Sequence, residues 1–243
     1  MKINPALILR PHYRYHRHLL LPLLVLLTLI SGCSGSSQHL GDTLEVAVFG
    51  VRDQRATVDY AHSLPYASMY VSMNKEPSVL VVLGWDEVAA DGQTTALKWV
   101  SGQQEMLVTE NGRITKTVNL VVGNMINIIA EQPDPLQLGL LNQANPQLWN
   151  YQLRWQDNQQ QIHQQPAVST FTVHGLESKT LPDGERALIK VDEQVHLPLS
   201  GQSYHNVYWL TPESGDVFAS RQQLGPNGVI LHLAVAKPYA GGQ

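Results

Sequence analysis

From residue 66 onward, apolar runs of a few residues alternate with turn-forming clusters spaced roughly 8–12 residues apart, a rhythm that suits a many-stranded all-β fold. Residues 66–73 and 79–85 flank the turn cluster Asn74-Lys75-Glu76-Pro77-Ser78. A short strand follows at 97–100. Residues 105–109 and 113–118 flank Glu110-Asn111-Gly112, and an Asn-Gly pair supplies the positive φ angles of a tight hairpin turn. Another strand is expected at 124–130. Pro133-Asp134-Pro135 then breaks the run, and one or two helical turns fit 136–142. In 148–156, Trp149, Tyr151, Leu153 and Trp155 fall on one face. The Gln-rich stretch 157–165 reads as a long loop or strand end. Strands at 167–177, 187–195, 206–210, 216–222 and 229–236 complete the chain, with turns at Pro182-Asp183-Gly184-Glu185 and Thr211-Pro212-Glu213-Ser214-Gly215. Leu40, Leu44 and Val48 recur every four residues behind Asp42 and predict a short N-terminal helix over 40–49. About ten to twelve strands with such turns suggest a sandwich, barrel or half-barrel. The expected fold is an all-β antiparallel barrel or half-barrel with a short N-terminal helix. It forms a single β domain over residues 38–238, followed by a flexible tail at 239–243.

Residues 1–32 read as a lipoprotein signal peptide. Lys2, Arg10, Arg14 and Arg17 make a cationic start with no acidic residue, and an apolar run of 12 residues occupies 19–30. A bilayer-spanning helix needs about 20, so the run fits the core of a signal peptide better than a permanent anchor. Ile30-Ser31-Gly32-Cys33 has the form of a lipobox, with cleavage expected between Gly32 and Cys33 and lipid attachment at Cys33. Small residues let the peptidase approach the backbone, and the thiol carries the lipid. Cys33 is the sole cysteine of the chain, so no disulfide is available and the fold must rest on its core. Residues 33–37 form an acylated tether rich in Gly and Ser. Serine at 34, where aspartate would retain a lipoprotein in the inner membrane, points to the outer membrane and its periplasmic face.

Cleavage removes four of the 16 cations and no anion, leaving 12 Lys and Arg against 20 Asp and Glu, a net charge near −8. Such a surface does not suit nucleic acid. His39, His62, His163, His174, His196, His205 and His232 show no metal-ligand spacing, so neither metal nor cofactor is expected. There is no nucleophile elbow, phosphate loop or dinucleotide fingerprint. Asp86/Glu87 and Asp192/Glu193 are adjacent carboxylates, but neighbours in a strand point to opposite faces. Asp134, Asp183, Glu185, Glu213 and Asp216 fall in turns, where capping is the common role. Tryptophan and tyrosine either fill a β core or stack on sugar faces. Trp149 and Trp155, which flank the amide-rich stretch, are the candidate glycan-stacking pair.

Several segments together resemble one family. They are Leu64-Pro65-Tyr66-Ala67-Ser68-Met69-Tyr70, Val79-Leu80-Val81-Val82-Leu83-Gly84, Trp99-Val100-Ser101 and Met106-Leu107-Val108-Thr109-Glu110-Asn111-Gly112-Arg113, with Tyr208-Trp209, Arg221-Gln222 and Leu224-Gly225. In this order they resemble the GfcB/YjbF/YmcC lipoproteins of group 4 capsule and exopolysaccharide clusters. The resemblance implies a barrel-like fold and a non-enzymatic accessory role in capsule or exopolysaccharide secretion or assembly. It also implies partners among polysaccharide export or assembly proteins, and a polysaccharide as a further candidate partner. It carries no catalytic residue. Two alternatives remain. One is a periplasmic carrier of acyl chains, as in lipoprotein sorting, with a dry cavity lined by Val81, Leu83, Ile126 or Ile128. The other is a glycan-active enzyme, which requires two convergent carboxylates in an aromatic groove.

Overall fold

The structure is a computed structural model, and it describes residues 54–142 and 147–241. Cys33, the tether and the helix expected over 40–49 lie outside the described residues. The elements run α1 (Gln54–Ser63), β1 (Ser68–Met73), β2 (Val79–Val88), β3 (Thr95–Val100), β4 (Met106–Glu110), β5 (Arg113–Val118) and β6 (Asn124–Ile129). Then come α2 (Pro135–Leu138), a 3-10 turn (Leu140–Asn142), β7 (Gln147–Gln156), β8 (Ile162–Leu181), β9 (Gly184–Leu197), β10 (Gln202–Leu210), β11 (Val217–Gln223) and β12 (Ile230–Lys237).

All twelve strands belong to one sheet, ordered β5-β4-β3-β2-β1-β12-β11-β10-β9-β8-β7-β6. Each pair of neighbours in this order is antiparallel. The first and last strands pair with each other, and the sheet curls into a nearly closed barrel whose seam falls between β5 and β6. Side chains bridge the seam. Thr117 Oγ1 donates to Asn124 Oδ1 at 3.1 Å, and Met125 N donates to Thr117 Oγ1 at 2.9 Å. Leu120 N donates to Asn124 Oδ1 at 3.1 Å.

An eight-stranded barrel is just wide enough for its own side chains to fill, and more strands leave more room. Here the extra room is taken by large aromatics and by the β4–β5 hairpin. Asn111 (φ 47) and Gly112 (φ 82) make its turn, as the Asn-Gly pair predicts. A Cβ on Gly112 would lie 2.3 Å from Val217 Cβ, so only glycine allows this approach to β11. Arg113 and Ile114 are consecutive, yet both are buried. The start of β5 therefore lies inside the barrel, not in its wall alone.

A second apolar cluster sits outside the barrel. Ala61 of α1 meets Tyr70, Trp209, Ala219 and Ala234 on the outward faces of β1, β10, β11 and β12, together with Leu181 and Leu188. Those two leucines belong to the far part of the β8–β9 hairpin, which exceeds the usual strand length of about 5–6 residues by a wide margin. The register slips between Val173 and Leu176, and beyond that bulge the hairpin folds over the outer wall. Sequence periodicity anticipates neither α1 nor this extension. Of the two readings of 157–165, a long loop or a strand end, the strand end holds: Asp157 Oδ1 accepts from the backbone N–H groups of Gln159 and Gln161, each at 2.9 Å, in a short turn, and β8 begins at Ile162. The helical turns expected at 136–142 are present as α2 and the 3-10 turn.

Candidate functional site

The barrel interior holds a charged cluster within its apolar packing. Arg113 enters it from the first position of β5. Its Nη1 donates to both carboxylate oxygens of Glu193, each at 3.0 Å, and its Nε and Nη2 reach Asp134. Glu193 is fully buried on β9, at the same inward parity as Val191 and Val195. Ser169 Oγ donates to Glu193 Oε1 at 2.6 Å, while Asn206 Nδ2 (2.8 Å) and Tyr208 OH (2.9 Å) donate to Oε2. Asp134 caps α2 by accepting from Leu136 N at 3.0 Å. Aromatic rings of Trp149, Tyr208 and Phe171 face the guanidinium at 4.8, 5.5 and 5.7 Å. Gln222 on β11 accepts from Ile114 N at 2.9 Å and donates to Gly112 O at 2.8 Å, fixing the hairpin turn to the opposite wall.

Burial alone would raise the Glu193 carboxyl, but the charge and hydrogen bonds of Arg113, with Ser169 and Asn206, hold it below the ordinary glutamate range. Burial alone would lower Arg113, but Asp134 and Glu193 outweigh it and push the guanidinium well above its ordinary value. Tyr151, Tyr204 and Tyr208 are raised, chiefly by burial. The cluster is thus a cation held between the carboxylates of Glu193 and Asp134. The cavity beside it, lined by Arg113, Tyr151, Tyr204, Asn206 and Gln222 among others, measures about 10 Å³, room for about one water.

The candidate glycan-stacking pair is corrected by this geometry. Trp149 and Trp155 are 3% and 5% exposed, so neither offers a face to sugar. Period-two alternation turns both inward. Trp149 Nε1 donates to Gln132 O at 3.0 Å and its ring lies 4.2 Å from that of Tyr151. Trp155 stacks on His163 at 5.1 Å, and a Cβ on Gly225 would come within 2.8 Å of its ring. Asp192 and Glu193 point to opposite faces, as strand geometry requires, and Asp86 and Glu87 are exposed. Val81 belongs to the packed interior, where Leu83 and Ile128 also pack, while Ile126 is half-buried at the register slip of β6. His163 pairs with Asp157 (2.7 Å), His174 with Asp192 (2.8 Å) and His196 with Ser203 (3.0 Å). Among the described residues, no three His, Cys, Asp or Glu side chains converge as metal ligands would. Period-two parity could have exposed Glu193 as buried, since it sits among inward valines. Nothing local marks Arg113 as its partner 80 residues away.

A nearly closed, antiparallel twelve-stranded barrel, filled by its own side chains and braced by an internal ion-pair cluster, is the class of protein these features define. The chain belongs to the YjbF family, described as group 4 capsule polysaccharide lipoprotein gfcB, YjbF, whose model matches residues 41–235. It is 30% identical to the uncharacterized lipoprotein GfcB of Escherichia coli K12 over 210 residues, covering 86% of this chain and 94% of that one. It is 32% identical to the uncharacterized lipoprotein YjbF of the same strain over 205 residues, covering 84% and 90%. The crystal structure of the hypothetical lipoprotein YmcC from Escherichia coli K12 superposes with a TM-score of 0.68 at 25% identity, covering 87% of this chain and all of that one.

Proposed function

We propose that this protein is an outer-membrane lipoprotein, lipidated at Cys33 and facing the periplasm, that serves as a non-enzymatic accessory factor in capsule or exopolysaccharide secretion or assembly. The observation that carries this reading is the filled interior. The carboxylates of Glu193 and Asp134 are bound to Arg113, and the cavity beside them holds about one water, so the outer surface is what the body offers to a partner. Family membership supports the polysaccharide context, and the Ile30-Ser31-Gly32-Cys33 motif with Ser34 supports the anchor and its membrane. Confining the body to a membrane-bound layer raises its effective concentration beside export or assembly proteins. The same filled interior speaks against the acyl-chain carrier, whose ligand would need a dry cavity of far greater length.

The test is deletion of the gene, followed by quantification of surface polysaccharide and complementation with wild-type or Cys33→Ala protein. A fall in surface polymer that wild type restores and Cys33→Ala does not is the expected result. Unchanged polymer in the deletion strain, under conditions where the parent makes it, overturns the proposal.

A further inference from the structure

The alternation that buries the β7 aromatics turns another set of side chains outward. Asn150, Gln152 and Arg154 are exposed between the inward Trp149, Tyr151, Leu153 and Trp155. Cross-strand register extends the outward set over four strands. One row runs Leu148, Thr170, Gln194, His205, and the next runs Asn150, Val168, His196, Ser203. Gln152 lies opposite Pro166, and Arg154 opposite Gln164. These four rows contain one cation and no carboxylate, in a chain with 20 acidic residues. The carboxylates at the margins, Asp157 and Asp192, each pair with a histidine. Among the described residues, the side-chain amides of Asn150, Gln152, Gln164 and Gln194 form no hydrogen bond, whereas α1 and the folded-over hairpin cover the wall around β11 and β12. At about 4.8 Å between strands and about 6.8 Å between rows, the wall spans roughly 14 Å across the first two rows and roughly 20 Å along β7 and β8.

We infer that this wall of β7–β10 is a binding surface for a polysaccharide chain; the inference rests on the accessory role proposed above and names its ligand. Amides, hydroxyls and imidazoles both donate and accept, which matches the mixed donors and acceptors of sugar hydroxyls. Nucleic acid would demand cations, and the wall has one. A protein-binding centre is enriched in Trp, Tyr and Arg, and here the aromatics face inward. A bilayer would demand several aliphatic tips, and in these rows Leu148 is the one large aliphatic side chain that is exposed. All four strands have partners on both sides, so a partner strand cannot add to them. An acidic polymer, repelled by the rest of the surface, meets no anion within these rows. Each contact is weak alone, and a repeating polymer multiplies them.

The probe is surface polysaccharide extracted from the producing cells and immobilised on resin. The full-length lipidated protein in detergent is expected to be retained and to elute with free polymer. The triple variant Asn150→Ala/Gln194→Ala/His205→Ala, all at exposed positions, is expected to lose at least tenfold in retention with unchanged Tm. Gln194→Glu alone, nearly isosteric, is expected to weaken retention when the polymer is acidic, while Lys98→Ala on the opposite wall leaves it intact. Wild-type protein that flows through, or a triple variant retained like wild type, overturns the inference. Complementation separates this failure from that of the accessory role: a deletion strain rescued fully by the triple variant keeps the role and removes the wall.

Discussion

At the residue scale, Arg113 is the keystone, because it pairs with Glu193 and Asp134 at once. Removing one member of a buried pair leaves an uncompensated charge and costs about 3–5 kcal/mol. Arg113→Met is therefore expected to lose that much in chemical denaturation, a large part of the roughly 5–15 kcal/mol that holds a domain folded. Adding Glu193→Gln to Arg113→Met should recover part of the loss, which a double-mutant cycle measures. The pH dependence has a definite sign. Glu193 is held below its unfolded pKa of about 4.3, so its contribution is complete above that pH and disappears as pH falls through the lower folded value. The stability gap between wild type and Glu193→Gln should accordingly be constant at neutral pH and shrink below about pH 4. A gap that grows on acidification would mean that Glu193 is protonated in the folded protein. Glu193 was legible as an inward position from its parity with Val191 and Val195. Its partner was not, because an ion pair that spans the barrel depends on closure, which no local pattern encodes.

At the element scale, the barrel is weakest at the β5–β6 seam, where side chains stand in for a backbone ladder. Asn124 is the central bridge: its Oδ1 accepts from Thr117 and Leu120, and its Nδ2 donates to Leu120 O and Gln156 Oε1. Asn124→Ala leaves several of these groups unpaired, so a loss of about 1–3 kcal/mol is expected. Hydrogen exchange should quicken at β5 and β6 amides before those of β8 and β9, and uniform quickening would deny the seam its special weakness. Gly112→Ala should also destabilise, by about 1–3 kcal/mol, because positive φ and the contact with Val217 both oppose a side chain. The β4–β5 hairpin was plain from Asn111-Gly112, since turn chemistry is local. That its tip enters the barrel was not plain, because Arg113 and Ile114 break the alternation a wall strand should show. The full length of β8 escaped for a related reason. Past the bulge near Gly175, the hairpin covers an outer wall, so apolar residues such as Leu181 and Leu188 no longer follow the inward parity.

At the scale of the whole molecule, twelve strands would ordinarily enclose room for a ligand, and the competition between carrier and scaffold turns on whether that room is occupied. Trp149, Trp155, Phe171 and Tyr208 project inward from the wall, and the β5 start occupies space that a lumen would need. An acyl chain could enter only by displacing this packing and uncovering the Arg113–Glu193 pair. A ligand bound to the folded state at a hundredfold its Kd would raise stability by about 2.7 kcal/mol, which a melting curve reads as several degrees. Long-chain fatty acid added below its critical micelle concentration is therefore expected to leave the Tm of the Cys33→Ala protein unchanged. The unlipidated form is the right one for this measurement, because its own acyl groups cannot compete for a cavity. A saturable rise in Tm would show that the barrel opens to hold lipid. The working surface would then be inside, and the carrier reading would displace the scaffold.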